Sequence, residues 1–211
     1  MWTLAAAEHN SAMTLSRAPL SRALRLAGLA VAVLLAGCAT RLEPPIVGYT
    51  CCNLHNEAGW ISSSNLLDQP LIPAGERVRF NTIKKSYYVY GTIGSDDAWL
   101  RADSTRNKEE TLRWARQLVV AQDPREQLAS WEPVVQAAVR NGKVRPGMSR
   151  PQVLMALGPP SLEFTQDLGA DLWRYSTAQD EGTVDLQFGA DGTLVRVDGN
   201  AAQRRFVEFG L

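Results

Sequence analysis

The sequence predicts an α+β protein. It ends in a two-layer unit of two helices and a three-stranded antiparallel sheet, and a small β-rich domain and a helical connector precede that unit. Three observations carry this reading. Short runs of β-forming residues separated by turn residues crowd residues 47–102. Apolar residues recur at helical spacing through 103–141. A short helix punctuated at both ends then leads into three alternating apolar runs between 172 and 197.

Ahead of these elements lies a leader. Arg17, Arg22 and Arg25 stand without an acid among them, and the apolar run Leu26-Ala27-Gly28-Leu29-Ala30-Val31-Ala32-Val33-Leu34-Leu35 follows. Ten such residues span only ~15 Å as helix, half of a ~30 Å hydrocarbon core. A positive segment, a short apolar run and small residues before a cleavage point describe a secretory signal peptide over residues 1–37. Glu8 sits badly in such a leader, so translation is expected to start at Met13. The closing Leu35-Ala36-Gly37-Cys38 resembles the lipobox of bacterial lipoproteins. That resemblance implies diacylglyceryl transfer to the Cys38 thiol, cleavage before it and acylation of the new N-terminus. Two or more chains make such an anchor stable. Ala39 follows in place of Asp, which by the sorting pattern of that class points to the outer membrane, facing the periplasm.

Residues 38–46 are expected to form a tether, stretched by Pro44-Pro45. In 47–102 the β runs fall at 46–49, 77–83, 87–93 and 98–100, and Arg77-Val78-Arg79-Phe80 alternates wet and apolar positions. Several short strands in so little chain suggest an SH3-like barrel. Residues 103–132 are the helical connector. Asn107 with Glu110 reads as a capping box, and Leu112, Ala115, Leu118 and Val119 share a face. Pro124 and Pro133 each mark a helix start, and Asn141-Gly142 a stop. Ser149-Arg150-Pro151-Gln152 is a second capping box, and Gly158-Pro159-Pro160 ends the helix it opens. Trp173 and Tyr175 face one way on the next run; Val184, Leu186 and Phe188 alternate on the following one. Gly189-Ala190-Asp191-Gly192 turns the chain back, and residues 201–211 are a tail.

Composition narrows function. The chain has Lys+Arg 22 against Asp+Glu 22; without residues 1–37, which hold three arginines and one glutamate, 19 basic face 21 acidic side chains. Neither balance gives the basic stripe that nucleic acid needs. The histidines are His9, in the leader, and His55, so any His-dependent catalysis in the mature chain must run through His55. No nucleophile has a credible base beside it, and the chain is read as a non-enzyme with no cofactor and no metal site. Cys51 and Cys52 with His55 form the one cluster of reactive types. Adjacent cysteines rarely reach one tetrahedral ion, and an oxidising compartment does not preserve exposed thiols. A structural pair, free or bridged by a disulfide, leads; a bridge to another chain and a metal or redox site remain open. Trp60, Trp99, Trp114, Trp131 and Trp173 are assigned to core packing. In Tyr87-Tyr88-Val89-Tyr90 the rings fall on both faces of a strand, and exposed outer rings would mark a partner surface. Asp96-Asp97 and Glu109-Glu110 fit a turn and a helix start.

One stretch carries a likeness. Val139-Arg140-Asn141-Gly142-Lys143-Val144-Arg145-Pro146-Gly147-Met148-Ser149 comes first. Val153, Ala156-Leu157-Gly158-Pro159-Pro160, Trp173-Arg174-Tyr175 and Phe188-Gly189-Ala190-Asp191-Gly192 follow in order. This resembles the SmpA/OmlA (BamE-like) domain, the small lipoprotein subunit of the outer-membrane β-barrel assembly machinery. It implies two helices followed by a three-stranded antiparallel sheet over 133–200. Members of that machine join the domain almost directly to lipid, whereas about a hundred residues intervene here, and their lipid-proximal binding motif is not recognisable. The fold therefore transfers better than the role. The expected function is a non-catalytic cell-envelope lipoprotein that binds an envelope protein partner in outer-membrane assembly or integrity. The alternative is a peptidoglycan- or peptide-binding module built on the β-rich domain.

Overall fold

A computed structural model describes residues 39–177 and 182–210. The expected signal peptide, the expected start at Met13 and the expected lipidation site Cys38 lie outside the described residues. The described residues form one compact unit.

Eleven strands and five helices are described, in the order β1 (Ala39–Thr50), β2 (Leu54–His55), β3 (Trp60–Ser62), β4 (Leu71–Ile72), β5 (Arg77–Lys84), β6 (Tyr88–Ile93), β7 (Asp96–Arg101), α1 (Lys108–Gln117), β8 (Val119–Val120), α2 (Arg125–Ala129), α3 (Pro133–Arg140), α4 (Arg150–Leu157), β9 (Leu172–Ser176), β10 (Thr183–Phe188), β11 (Leu194–Asp198) and α5 (Ala201–Arg204). The expected barrel is a six-stranded sheet in the order β3-β7-β6-β5-β1-β8, with β3 and β8 at its two ends. Val78, Phe80 and Ile83 of β5 and Val89 and Ile93 of β6 point into its core, and Arg79, Lys84, Tyr88 and Tyr90 point out.

Residues 39–46 are not a free tether. Ala39, Thr40 and Arg41 pair with Lys84, Ile83 and Thr82, so the strand begins at the first described residue. Pro44-Pro45 fall in the register break between Arg41 and Ile46, where the ladder has no use for the N–H that proline lacks. The two-residue strands β2, β4 and β8 are too short to show a period.

Asn107 caps α1 by accepting from the backbone of Glu109 and Glu110. The reciprocal bond expected from Glu110 goes elsewhere: Thr105 donates to its carboxylate at 2.5 Å and accepts the Asn107 N–H at 3.0 Å. Trp114, Ala115 and Leu118 of the connector pack with Phe80, Val89 and Leu100 in one apolar cluster, so this helix belongs to the core of the β-rich part. Pro124 stands at the N-cap of α2, one position before the expected one; Pro133 opens α3.

The C-terminal third follows the sequence closely up to residue 200. Beyond it the expected tail is instead the capped helix α5 and Val207, which is fully buried in the same core. Ser149 and Gln152 form the reciprocal capping box of α4. The antiparallel order β11-β10-β9 stacks Trp173, Tyr175, Val184, Leu186 and Phe188 on Val139, Val153 and Leu157 of the helices. That second cluster also takes Leu67 and Ala74 from the N-terminal part.

Candidate functional site

The two clusters meet at the end of α4, and the chemistry of that meeting is specific. A helix leaves its last carbonyls without intrahelical partners. Here the carbonyls of five consecutive residues each receive a donor from outside the helix. The Asn53 N–H donates to Met155 at 3.0 Å. The Asn53 side chain donates to Ala156 at 2.9 Å and to Val139 of α3 at 2.6 Å. The Asn65 side chain donates to Leu157 at 2.9 Å and to Pro159 at 2.6 Å. Between them the Tyr175 hydroxyl donates to Gly158 at 2.9 Å. The Asn53 Oδ1 is also used; it accepts the Ala74 N–H at 3.1 Å. Complete burial holds the Tyr175 phenol well above its ordinary pKa, so it stays a donor.

Gly158 makes the turn possible. Its φ of 76° with ψ of −179° is a region that only glycine enters freely. A Cβ there would also meet the Asn53 carbonyl at 2.9 Å. Ser161 continues the seam by donating to the Ser64 carbonyl.

The cysteines and His55 lie beside this seam. Cys51 and Cys52 form the corner between β1 and β2, with their sulfurs 2.08 Å apart. Cys52 is fully buried, and Cys51 lines an open groove of about 470 Å³ together with Gln122, Pro151 and Met155. His55 is also buried, with Nδ1 3.1 Å from the Gln69 carbonyl, which places its proton on Nδ1. Nε2 has no hydrogen-bond partner. Among the described residues no group of three or more His, Cys, Asp or Glu could hold a metal ion.

Desolvation lowers the His55 pKa from 6.5 to about 4. The folded state therefore favours the neutral ring. Above pH 6.5 both states are neutral and pH has no effect through this group. Between 6.5 and 4 the unfolded chain takes up a proton that the folded chain refuses, so stability falls as pH falls. The full loss is about 3 kcal/mol. Urea midpoints measured from pH 7 to pH 4 should drop more steeply for the native chain than for His55→Gln. Equal slopes would refute the burial argument.

Two tryptophans depart from the core-packing expectation. Trp114 and Trp173 are buried, but Trp60 and Trp99 stand half-exposed on the outer face of the six-stranded sheet. Their centroids are 5.2 Å apart, and Trp60 lies 5.4 Å from Tyr88. On the C-terminal sheet the solvent face carries the Arg174–Asp185 pair, bonded twice at 2.6 Å. Leu172 at 41% and Val195 at 53% exposure lie on the two outer strands, and Phe164 is 46% exposed nearby.

Two helices, the Leu157-Gly158-Pro159 turn and a three-stranded sheet in this order are the parts the sequence likeness implied. The comparison with family models decides which family they point to. Residues 136–207 match the outer membrane protein assembly factor BamE domain. The match runs from within α3 to just past α5 and covers about a third of the chain. No curated protein and no solved structure matches the chain. The BamE domain thus contains the whole run of carbonyls at the end of α4, and the residues that serve most of them, Asn53 and Asn65, lie outside it.

Proposed function

We propose that the chain is a non-catalytic lipoprotein of the outer membrane, anchored through acyl chains on Cys38 and facing the periplasm. In this reading its BamE domain binds an envelope protein in outer-membrane protein assembly. The observation that carries it is a BamE domain match in a chain whose Leu35-Ala36-Gly37-Cys38 resembles a lipobox. No helix among the described residues is long and apolar enough to cross a membrane, so the acyl chains supply the attachment. The solvent face of the β9–β11 sheet, with Leu172, Val195 and Phe164 around the Arg174–Asp185 pair, has the mixed apolar and charged character of a non-obligate protein interface. The Cys51–Cys52 bond is assigned a structural role, holding the corner that delivers Asn53 to the seam.

Cys38→Ser should move the protein from the membrane fraction to the soluble periplasmic fraction, and the N-terminal peptide of the native protein should carry the mass of its acyl groups. Native protein with an unmodified N-terminus would reject the anchor. A photo-crosslinking residue at Val195 should yield an adduct with a component of the outer-membrane protein assembly machinery. Adducts only with unrelated proteins, or none, would reject the partner assignment.

A further inference from the structure

The position of the anchor relative to the first strand constrains how the protein sits. Ala39 follows Cys38 directly and is already paired with Lys84. One residue of extended chain spans at most ~3.6 Å. A lipid on Cys38 therefore has no slack between it and the sheet, and this end of the six-stranded sheet lies at the headgroups.

The side chains at that end suit the location. Continuing across the sheet from Ala39, the register runs Lys84, Tyr88, Arg101 and Ser62 on β5, β6, β7 and β3. Lys85 and Ser86, both at positive φ, turn the chain just beyond this row, with Lys85 exposed. One step further in, the outer face carries Tyr90, Trp99 and Trp60 side by side. The Lys84 ammonium lies 5.0 Å from the Tyr90 ring centroid and the Arg106 guanidinium 4.2 Å from that of Tyr87. Gly59 leaves room for the indole: a Cβ there would stand 3.1 Å from the Trp99 ring. The opposite end of the sheet is acidic, with Glu76, Asp96 and Asp97, and its Arg77 is stacked over Tyr49. Tyr and Trp favour the boundary between hydrocarbon and water, and lysines above them meet anionic headgroups.

We propose that the Lys84–Tyr88–Arg101 end of the sheet, with Trp60 and Trp99 behind it, docks on a bilayer surface containing anionic phospholipid. The protein is thus seated on the membrane as well as tethered to it. This rests on the anchor assigned above, and the two can be tested apart. The chain from Cys38 onward, made in the cytosol and then oxidised so that Cys51 and Cys52 are joined, leaves the Cys38 thiol for coupling to a maleimide lipid. Coupling to vesicles of phosphatidylcholine and phosphatidylglycerol with a spin label on the headgroup should quench the tryptophan fluorescence. Trp60→Phe/Trp99→Phe should lose most of that quenching. Lys84→Glu/Lys85→Glu should lose it on vesicles with phosphatidylglycerol. Coupled protein without quenching, or quenching that survives Trp60→Phe/Trp99→Phe, overturns the proposal. So does protection of these rings by insoluble peptidoglycan and not by vesicles. An unmodified N-terminus in the cellular protein would refute the natural anchor and leave the vesicle result standing.

Discussion

Asn53→Leu is expected to remove about 4 kcal/mol of stability, a large fraction of the 5–15 kcal/mol typical of a domain. Leucine keeps the branched shape of asparagine with bulkier methyl ends, so some overpacking adds to the loss of hydrogen bonding. Two buried groups lose their partner, the carbonyl of Ala156 and the N–H of Ala74, and the Val139 carbonyl is left with the Gly142 N–H alone. Each orphan costs about 1–3 kcal/mol when water cannot replace the donor. Asn53→Asp separates the donors from the acceptor. It keeps an oxygen for Ala74 but turns a carboxylate toward two carbonyls. At pH 7 it should cost at least as much as Asn53→Leu, and it should recover part of that cost as acid protonates the new carboxyl. Urea unfolding of both variants at two pH values checks this. A loss under 1 kcal/mol for Asn53→Leu would mean the seam is hydrated and the bonds are dispensable.

Trp173→Ala should cost a similar amount, about 4 kcal/mol, by a different mechanism. The indole is 1% exposed and lies 4.8 Å from Phe188, centroid to centroid, in the core of the BamE domain. Its removal leaves a cavity that the paired strands β9 and β10 and the helices above them cannot close. Trp173→Phe refills most of the space and should retain well over half of the lost stability. Since the indole N–H has no hydrogen-bond partner, phenylalanine forfeits no bond. If Trp173→Ala and Trp173→Phe prove equally mild in thermal unfolding, the core is more plastic than its packing indicates.

The C-terminal third was legible in the sequence because its signals are local. Ser149 and Gln152 sit three residues apart and cap each other; Val184, Leu186 and Phe188 alternate on one strand. The same holds for Asn107 at the start of α1. Asn53 and Asn65 gave no such signal. Each reads as a loop asparagine, and its partners stand 103 and 92 residues away in the chain, at Ala156 and Leu157. A spacing rule cannot see a bond that exists only after both halves have folded. The outer tryptophans escaped for a related reason. Trp60 and Trp99 meet through a parallel pairing of β3 with β7, which short-range pattern does not specify. The tether reading of Pro44-Pro45 missed their context, because β5 pairs with the residues on either side, Arg41 and Ile46.

The amides of Asn53 and Asn65 also bear on how such chains can be recombined. The stretch matched by the BamE model is not an interchangeable cassette in this protein. Grafted onto another scaffold without residues 51–67, it would present four peptide oxygens, at Met155, Ala156, Leu157 and Pro159, to whatever solvent or neighbour the new host supplied. A graft that carries that segment along keeps its own bracket.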